Sequence, residues 1–212
     1  MVSERAKVVW LALVGAMTGL GGVLLAVDGG RTPRSDGLAM PPLVAAQPQA
    51  PQIESVFRTR QALDNQRWTS IVIHQSGEHF GSWETIEKQH LKQRLKGLGH
   101  HFVVGNGSGM DDGAIYVGFR WLDQLPGAHA TGPRAREFNE HGISICLVGN
   151  IDRSRPTSAQ MASLTELVAS LCRQLSIPPE RVLLASDIAP VSDPGRRFPE
   201  AQMRQRLADM LR

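Results

Sequence analysis

The chain has 212 residues, about one domain's worth by length, of which 42% are hydrophobic, 20% charged and 5% aromatic. That supply of apolar side chains builds a core and excludes a disordered tail or a fibrous protein. Its 23 Lys and Arg against 20 Asp and Glu leave a net charge of only +3. This is too slight for a nucleic-acid footprint, which needs cations clustered on one face. Two cysteines, Cys146 and Cys172, make neither a disulfide framework nor a four-thiolate zinc site.

From Val8 to Val27 the chain is apolar and uncharged, long enough as a helix to cover a hydrocarbon core of about 30 Å. Arg5 and Lys7 precede it and favour a cytoplasmic N-terminus. The pattern predicts a transmembrane signal anchor within residues 1–27. A cleaved signal peptide is the alternative, disfavoured because the run exceeds the usual apolar length of such peptides and no A-x-A site follows directly. Either exports the rest of the chain, as a membrane-anchored extracytoplasmic domain or a secreted one. Residues 28–53 turn to Gly, Pro, Ala, Gln and Arg, including AAQPQAPQ, and predict a flexible linker. Residues 54–212 then predict one domain.

Within that domain Trp68 to His74 (WTSIVIH) is a β-branched run that suits a buried strand whose C-terminal end opens into a site. Ser82 to Lys96 predicts a helix with Ile86, Leu91 and Leu95 near one face and Gly97 as its stop. Strand-like runs follow at His101–Val104, Ala114–Phe119 and Ile143–Val148, separated by Gly-rich turns. The segment Gly105–Gly109 reads as one of those turns, since no helix start and no Lys-Ser/Thr pair follows to make a phosphate cradle. Thr157 to Leu175 predicts a helix with a T-x-x-Q capping box, with Met161, Leu164, Leu167, Val168, Leu171 and Leu175 at helical spacing. Arg181–Ile188 predicts a last strand, and Pro199–Leu211 a terminal helix carrying Met203, Leu207 and Met210. The fold class these pieces imply is α/β, a central mixed β-sheet flanked by helices.

Chemistry is concentrated in the histidines, of which there are seven. His74, His100 and His129 adjoin strand ends or Gly turns. A lone His is usually just a hydrogen-bonded residue, so convergence with partners decides its role. Trp83, Trp121 and Arg120 are candidates for a sugar groove, although tryptophans in such domains are mostly core. Cys146 on a strand and Cys172 on an apolar helix face read as two buried thiols, with a bridge left open by export.

Four blocks carry a resemblance: RWTSIVIHQSG, then LGHHFVVGNG with DDGAIYVGFRW, then GAHATGPRAREFNEHGISICLVGN, then SDIAPVSDPGRRFP. Their content and order resemble the zinc-dependent N-acetylmuramoyl-L-alanine amidases, a family that includes phage lysozyme-type amidases and peptidoglycan recognition proteins. The match runs from about Arg67 to Pro199. It implies a groove for peptidoglycan or muropeptide, zinc as cofactor, and hydrolysis of the amide between N-acetylmuramic acid and L-alanine.

Carried over residue by residue, the resemblance makes His74 and Asp193 zinc ligands. The family's remaining His ligand, in a pattern like H-S-D-I-A-P, falls on Ala185, which has no donor atom. Two residues before Asp193, Val191 stands where the family often has Lys. The assisting Tyr of a G-Y-H-F pattern maps onto His100, and the Glu that some relatives use maps onto Cys146. His129 matches a His lining the groove, and Asn139 lies in an N-x-x-G-I segment. His100 and His129 are therefore the candidate catalytic residues, with His100 also able to enter a rearranged zinc site. A metal-free, non-catalytic peptidoglycan-binding module is the alternative.

Overall fold

In the computed structural model six strands form one mixed sheet in the order β1-β4-β3-β5-β2-β6. The structure describes residues 38–40 and 53–212, which belong to one compact unit spanning Asp36–Arg212. The strands are β1 (Leu38–Met40), β2 (Ser70–Gln75), β3 (Phe102–Val104), β4 (Ile115–Val117), β5 (Gly142–Leu147) and β6 (Val182–Leu184). Strand β2 runs parallel to β5 and β6, β3 runs parallel to β5, and β4 is antiparallel to β3 and β1. The helices are α1 (Trp83–Lys92), α2 (Phe119–Leu122), α3 (Ala135–His141), α4 (Ser158–Leu175), α5 (Ala185–Ile188) and α6 (Glu200–Met210).

Because strand side chains alternate between faces, each strand divides its residues between two layers. Ile71, Ile73, Phe102, Val104, Ile143, Ile145 and Leu147 join the main core with Leu164, Leu167, Val168 and Leu171 of α4 and Met203 and Leu207 of α6. Val103, Tyr116 and Cys146 point to the other face, where they pack with Ile86 of α1. The same alternation puts His74 and Ser144 on that second face. The polar members of apolar strands are thus gathered on one side.

Helix α4 matches expectation, and Thr157 caps it by accepting the Gln160 N–H at 3.0 Å. The Gln160 side chain does not close the capping box. It donates instead to Val104 and Val148 carbonyls at 3.0 and 2.9 Å, pinning the helix to the sheet. Helix α1 stops at Lys92, short of Leu95, because Arg94 takes a left-handed φ of 66° and the Gln93, Arg94 and Leu95 N–H groups fold back onto His90 and Leu91. Leu91, still within the helix, stands about 140° round it from the buried Ile86 and is 52% exposed. Met210 likewise faces outward.

The last strand is shorter than the sequence suggests. Asp187 accepts the Leu184 N–H at 2.8 Å, which turns the chain into α5. Helix α3 was not expected; Phe138 anchors it and Arg134–Glu137 and Arg136–Glu140 pairs line its exposed side. Strand β1 falls inside the segment read as linker. The segment read as an anchor, 1–27, lies outside the described residues; among those that are described, no helix is long and apolar enough to cross a membrane.

Candidate functional site

The site forms on the second face of the sheet, between the end of β2 and the starts of β3 and β5. His74 is the penultimate residue of β2, and the segment after α5 brings Asp193 back against it. His74 Nδ1 lies 2.8 Å from Asp193 Oδ2, while Asp193 Oδ1 accepts the backbone N–H of Gln75 at 2.7 Å. Gln75 also holds both neighbouring loops: its amide donates to Ser192 O at 3.1 Å and accepts the Ile151 N–H at 2.6 Å. Gly195 makes this closure sterically feasible, since a Cβ there would stand 2.7 Å from the Ile151 backbone.

On the other side of His74, Nε2 lies 2.9 Å from His129 Nδ1, and His129 Nε2 donates to Phe138 O at 3.1 Å. Asn139 fixes the backbone beneath His129. Its carbonyl oxygen accepts the N–H groups of His129 and Ala130 at 2.8 and 2.9 Å, and its amide donates to Ala130 O at 3.2 Å. Gly127 leaves room for the ring, because a Cβ there would meet His129 Cδ2 at 2.5 Å.

His100 completes the cluster, its ring centroid 5.1 Å from that of His74 and 6.3 Å from that of His129. Its Nδ1 is 3.3 Å from Ser144 Oγ. His90 of α1 packs 5.3 Å from His100 and accepts the Gly99 N–H. His101 accepts the Ser144 N–H on Nδ1 at 3.0 Å, so its Nε2 carries the proton and donates to Leu125 O at 3.1 Å.

Burial dominates the electrostatics, because desolvation disfavours the charged imidazolium. Burial, followed by the neighbouring His74, holds His100 and His129 well below the usual histidine range. Burial pushes His101 down to about 3, against a partial opposing effect of the Leu125 carbonyl. His90 is lowered by burial and then by Arg120. These rings are neutral hydrogen-bonding groups at neutral pH. Cys146, paired in register with His74, is pushed well above its ordinary value by burial and by Asp193.

The structure therefore brings His74, His100, His129 and Asp193 together. The sugar-groove candidates separate: Trp121 is core and donates to Val56 O, Trp83 stacks on Tyr116, and Arg120 donates to Leu98 and Pro126 carbonyls. Ser144, Gln75, His90 and His101 escaped the sequence reading. Ser144 had a signal, as the polar member of an apolar alternating strand.

These residues do not fit a zinc ion. A site of this kind needs three protein ligands and an open position. Among the described residues no three His, Cys, Asp or Glu side chains are grouped to hold a metal. Ala185 is 2% exposed and packs against Val72 and Phe138.

Comparison with known proteins agrees with this architecture. Residues 64–203 match the family model described as N-acetylmuramoyl-L-alanine amidase. The endolysin of Enterobacteria phage T3 is 33% identical over 91 residues, 41% of this chain and 52% of that protein, so the chain spans about half of that relative's length. The endolysin of Escherichia phage T7 is 30% identical over 124 residues, 54% of this chain and 70% of the other. Among solved structures, the N-acetylmuramoyl-L-alanine amidase LysC from Clostridium intestinale superposes with a TM-score of 0.57 at 24% identity, covering 70% of this chain and 91% of that one. Drosophila peptidoglycan recognition protein SD gives 0.51 at 18% identity, covering 64% and 79%. The shared fold, the matched length and the placement of the ordered sequence blocks together establish that the chain belongs to the N-acetylmuramoyl-L-alanine amidase family.

Proposed function

We propose that this chain is a peptidoglycan-binding domain whose groove receives muropeptide at the junction of glycan and peptide. The observation that carries this reading is the convergence of His74, His100, His129 and Asp193 on one face of the sheet, a small set of convergent polar groups of the kind that orients a ligand. Asn139 and Gln75 hold the backbone on either side, so the cleft is organised before any ligand arrives. The family's hydrolytic chemistry relies on zinc, which activates a water and polarises the amide carbonyl. Because the donor set here is incomplete, binding without cleavage is the better-supported activity. The apolar run Val8–Val27 supports extending the proposal to a domain that works outside the cytoplasm, held at a membrane or, if the run is cleaved, secreted.

Co-sedimentation of the purified protein with insoluble peptidoglycan tests the reading. Saturable pelleting that soluble muropeptides compete away is expected; the protein remaining in the supernatant across a wall titration would reject it. Incubation of the same wall with the protein should release no new L-alanine amino termini.

A further inference from the structure

The family's metal position is not simply lacking a ligand here; it is occupied by the protein's own hydrogen bonds. His129 Nε2 donates to Phe138 O, so its Nδ1 has a lone pair to offer, and the proton between the two rings sits on His74 Nε2. The other ring nitrogen, Nδ1, lies 2.8 Å from Asp193 Oδ2, and to bond that carboxylate it must carry a proton as well, so neither nitrogen keeps a lone pair for a metal. Two ligands bound at about 2.0–2.1 Å to a tetrahedral ion stand roughly 3.3 Å apart. The observed separation is that of a direct hydrogen bond, with the two family ligands closed on each other.

The other structural duty of such an ion, tying the C-terminal loop to the sheet, is also met by the protein. Asp193 Oδ1 accepts the Gln75 N–H, Gln75 donates to Ser192 O, and Ser186 donates its N–H to Asp193 O at 2.8 Å. His100, the remaining imidazole on the metal side of the family pattern, directs Nδ1 to Ser144 Oγ. At Ala185 a methyl group among Val72 and Phe138 fills the place of a donor.

We propose that the chain Asp193–His74–His129 replaces the family's zinc ion as the fastening of the cleft, and that Ala185 is the residue that commits the site to this metal-free form. The inference rests on the position of the site within the family and not on what the groove binds. Failure to pellet with wall would therefore leave it standing.

The test is metal binding and metal-dependent stability of the full chain in detergent, after stripping with EDTA. Calorimetric titration with zinc chloride should show no stoichiometric uptake at micromolar concentrations, and the thermal midpoint should be the same with EDTA or with zinc. The Ala185→His variant should take up one zinc per chain at least about 100-fold more tightly than the parent, since even outer-shell changes shift metal affinity by 10- to 100-fold, and zinc should raise its thermal midpoint. Removing His74 from that variant (A185H with H74A) should abolish the uptake.

Zinc bound one per chain by the parent, with a midpoint that EDTA lowers, overturns the proposal. So does a folded Ala185→His protein that takes up no zinc, because the missing donor would then not be what keeps the metal out. If the variant fails to fold, the parent's response to zinc and EDTA decides the matter alone.

Discussion

Asp193 and His74 are 119 positions apart in the chain, yet the carboxylate of one meets the imidazole of the other at 2.8 Å, and the same carboxylate accepts the N–H of the residue next to His74. One side chain thus joins the segment after α5 to the end of β2 through two bonds. Replacing it leaves a backbone donor and a ring nitrogen without partners, a cost of about 1–3 kcal/mol. Asp193→Ala should lower unfolding free energy in urea by that amount, and Asp193→Asn by less, since the amide oxygen still serves Gln75. Equal stability of parent and Ala variant would show that the contact does not fasten the loop.

Asn139 holds the segment carrying His129 through three hydrogen bonds. Asn139→Ala removes all three and frees the ring that contacts His74. The expected outcome is a loss of about 1–3 kcal/mol in stability and a larger fractional loss in muropeptide affinity than a distant substitution of equal destabilisation produces. Calorimetry with a soluble muropeptide, run beside Thr157→Ala, which removes the cap of α4 and no hydrogen bond of the four clustered side chains, makes that comparison.

Acid should destabilise the fold in a specific window. His100, His101 and His129 are held neutral by burial, His101 down to about 3 from an ordinary value of 6.5. Between those limits the unfolded chain binds protons that the folded chain refuses, so stability is full above about pH 6.5 and falls as pH drops. Each such imidazole contributes a slope of up to about 1.4 kcal/mol per pH unit. Urea unfolding at pH 7 and pH 5 should differ by at least about 2 kcal/mol; matching free energies at the two values would contradict neutral burial of the cluster.

Cys146 and Cys172 are both free and buried, and they belong to different core clusters on opposite faces of the sheet. The bridge left open by the sequence is not formed. Burial pushes the Cys172 thiol up to about 11 and Cys146 well above its ordinary value, which suppresses the reactive thiolate. A thiol reagent such as DTNB should register two free thiols in denaturant and fewer than one within minutes in the native protein. Rapid native labelling at Cys146 would mean that the cleft face is open to solvent.

The sequence by itself determined the family and the class of fold, and it singled out four side chains that prove to be neighbours. Alternation along WTSIVIH and ISICLV and helical spacing from Met161 to Leu175 are local patterns, and local periodicity fixes which side chains share a face. The resemblance singled out His74, His100, His129 and Asp193, which the structure brings together, and marked Ala185 as a position without a donor. Local pattern also misled: Leu95 continued a helical stripe that Arg94 breaks by its backbone conformation, and Ile188 continued an apolar run that Asp187 caps into a helix.

Tertiary structure alone decided how the cluster is wired. Whether His74 offers a nitrogen to a metal or spends both on Asp193 and His129 depends on where loops more than fifty residues away come to rest. The same holds for Ser144 between two histidines and for Gln75 bridging the loops around Ile151 and Ser192. Hydrogen bonds are short and directional, so ångström-scale shifts choose the partner. Residue spacing carries no information at that scale.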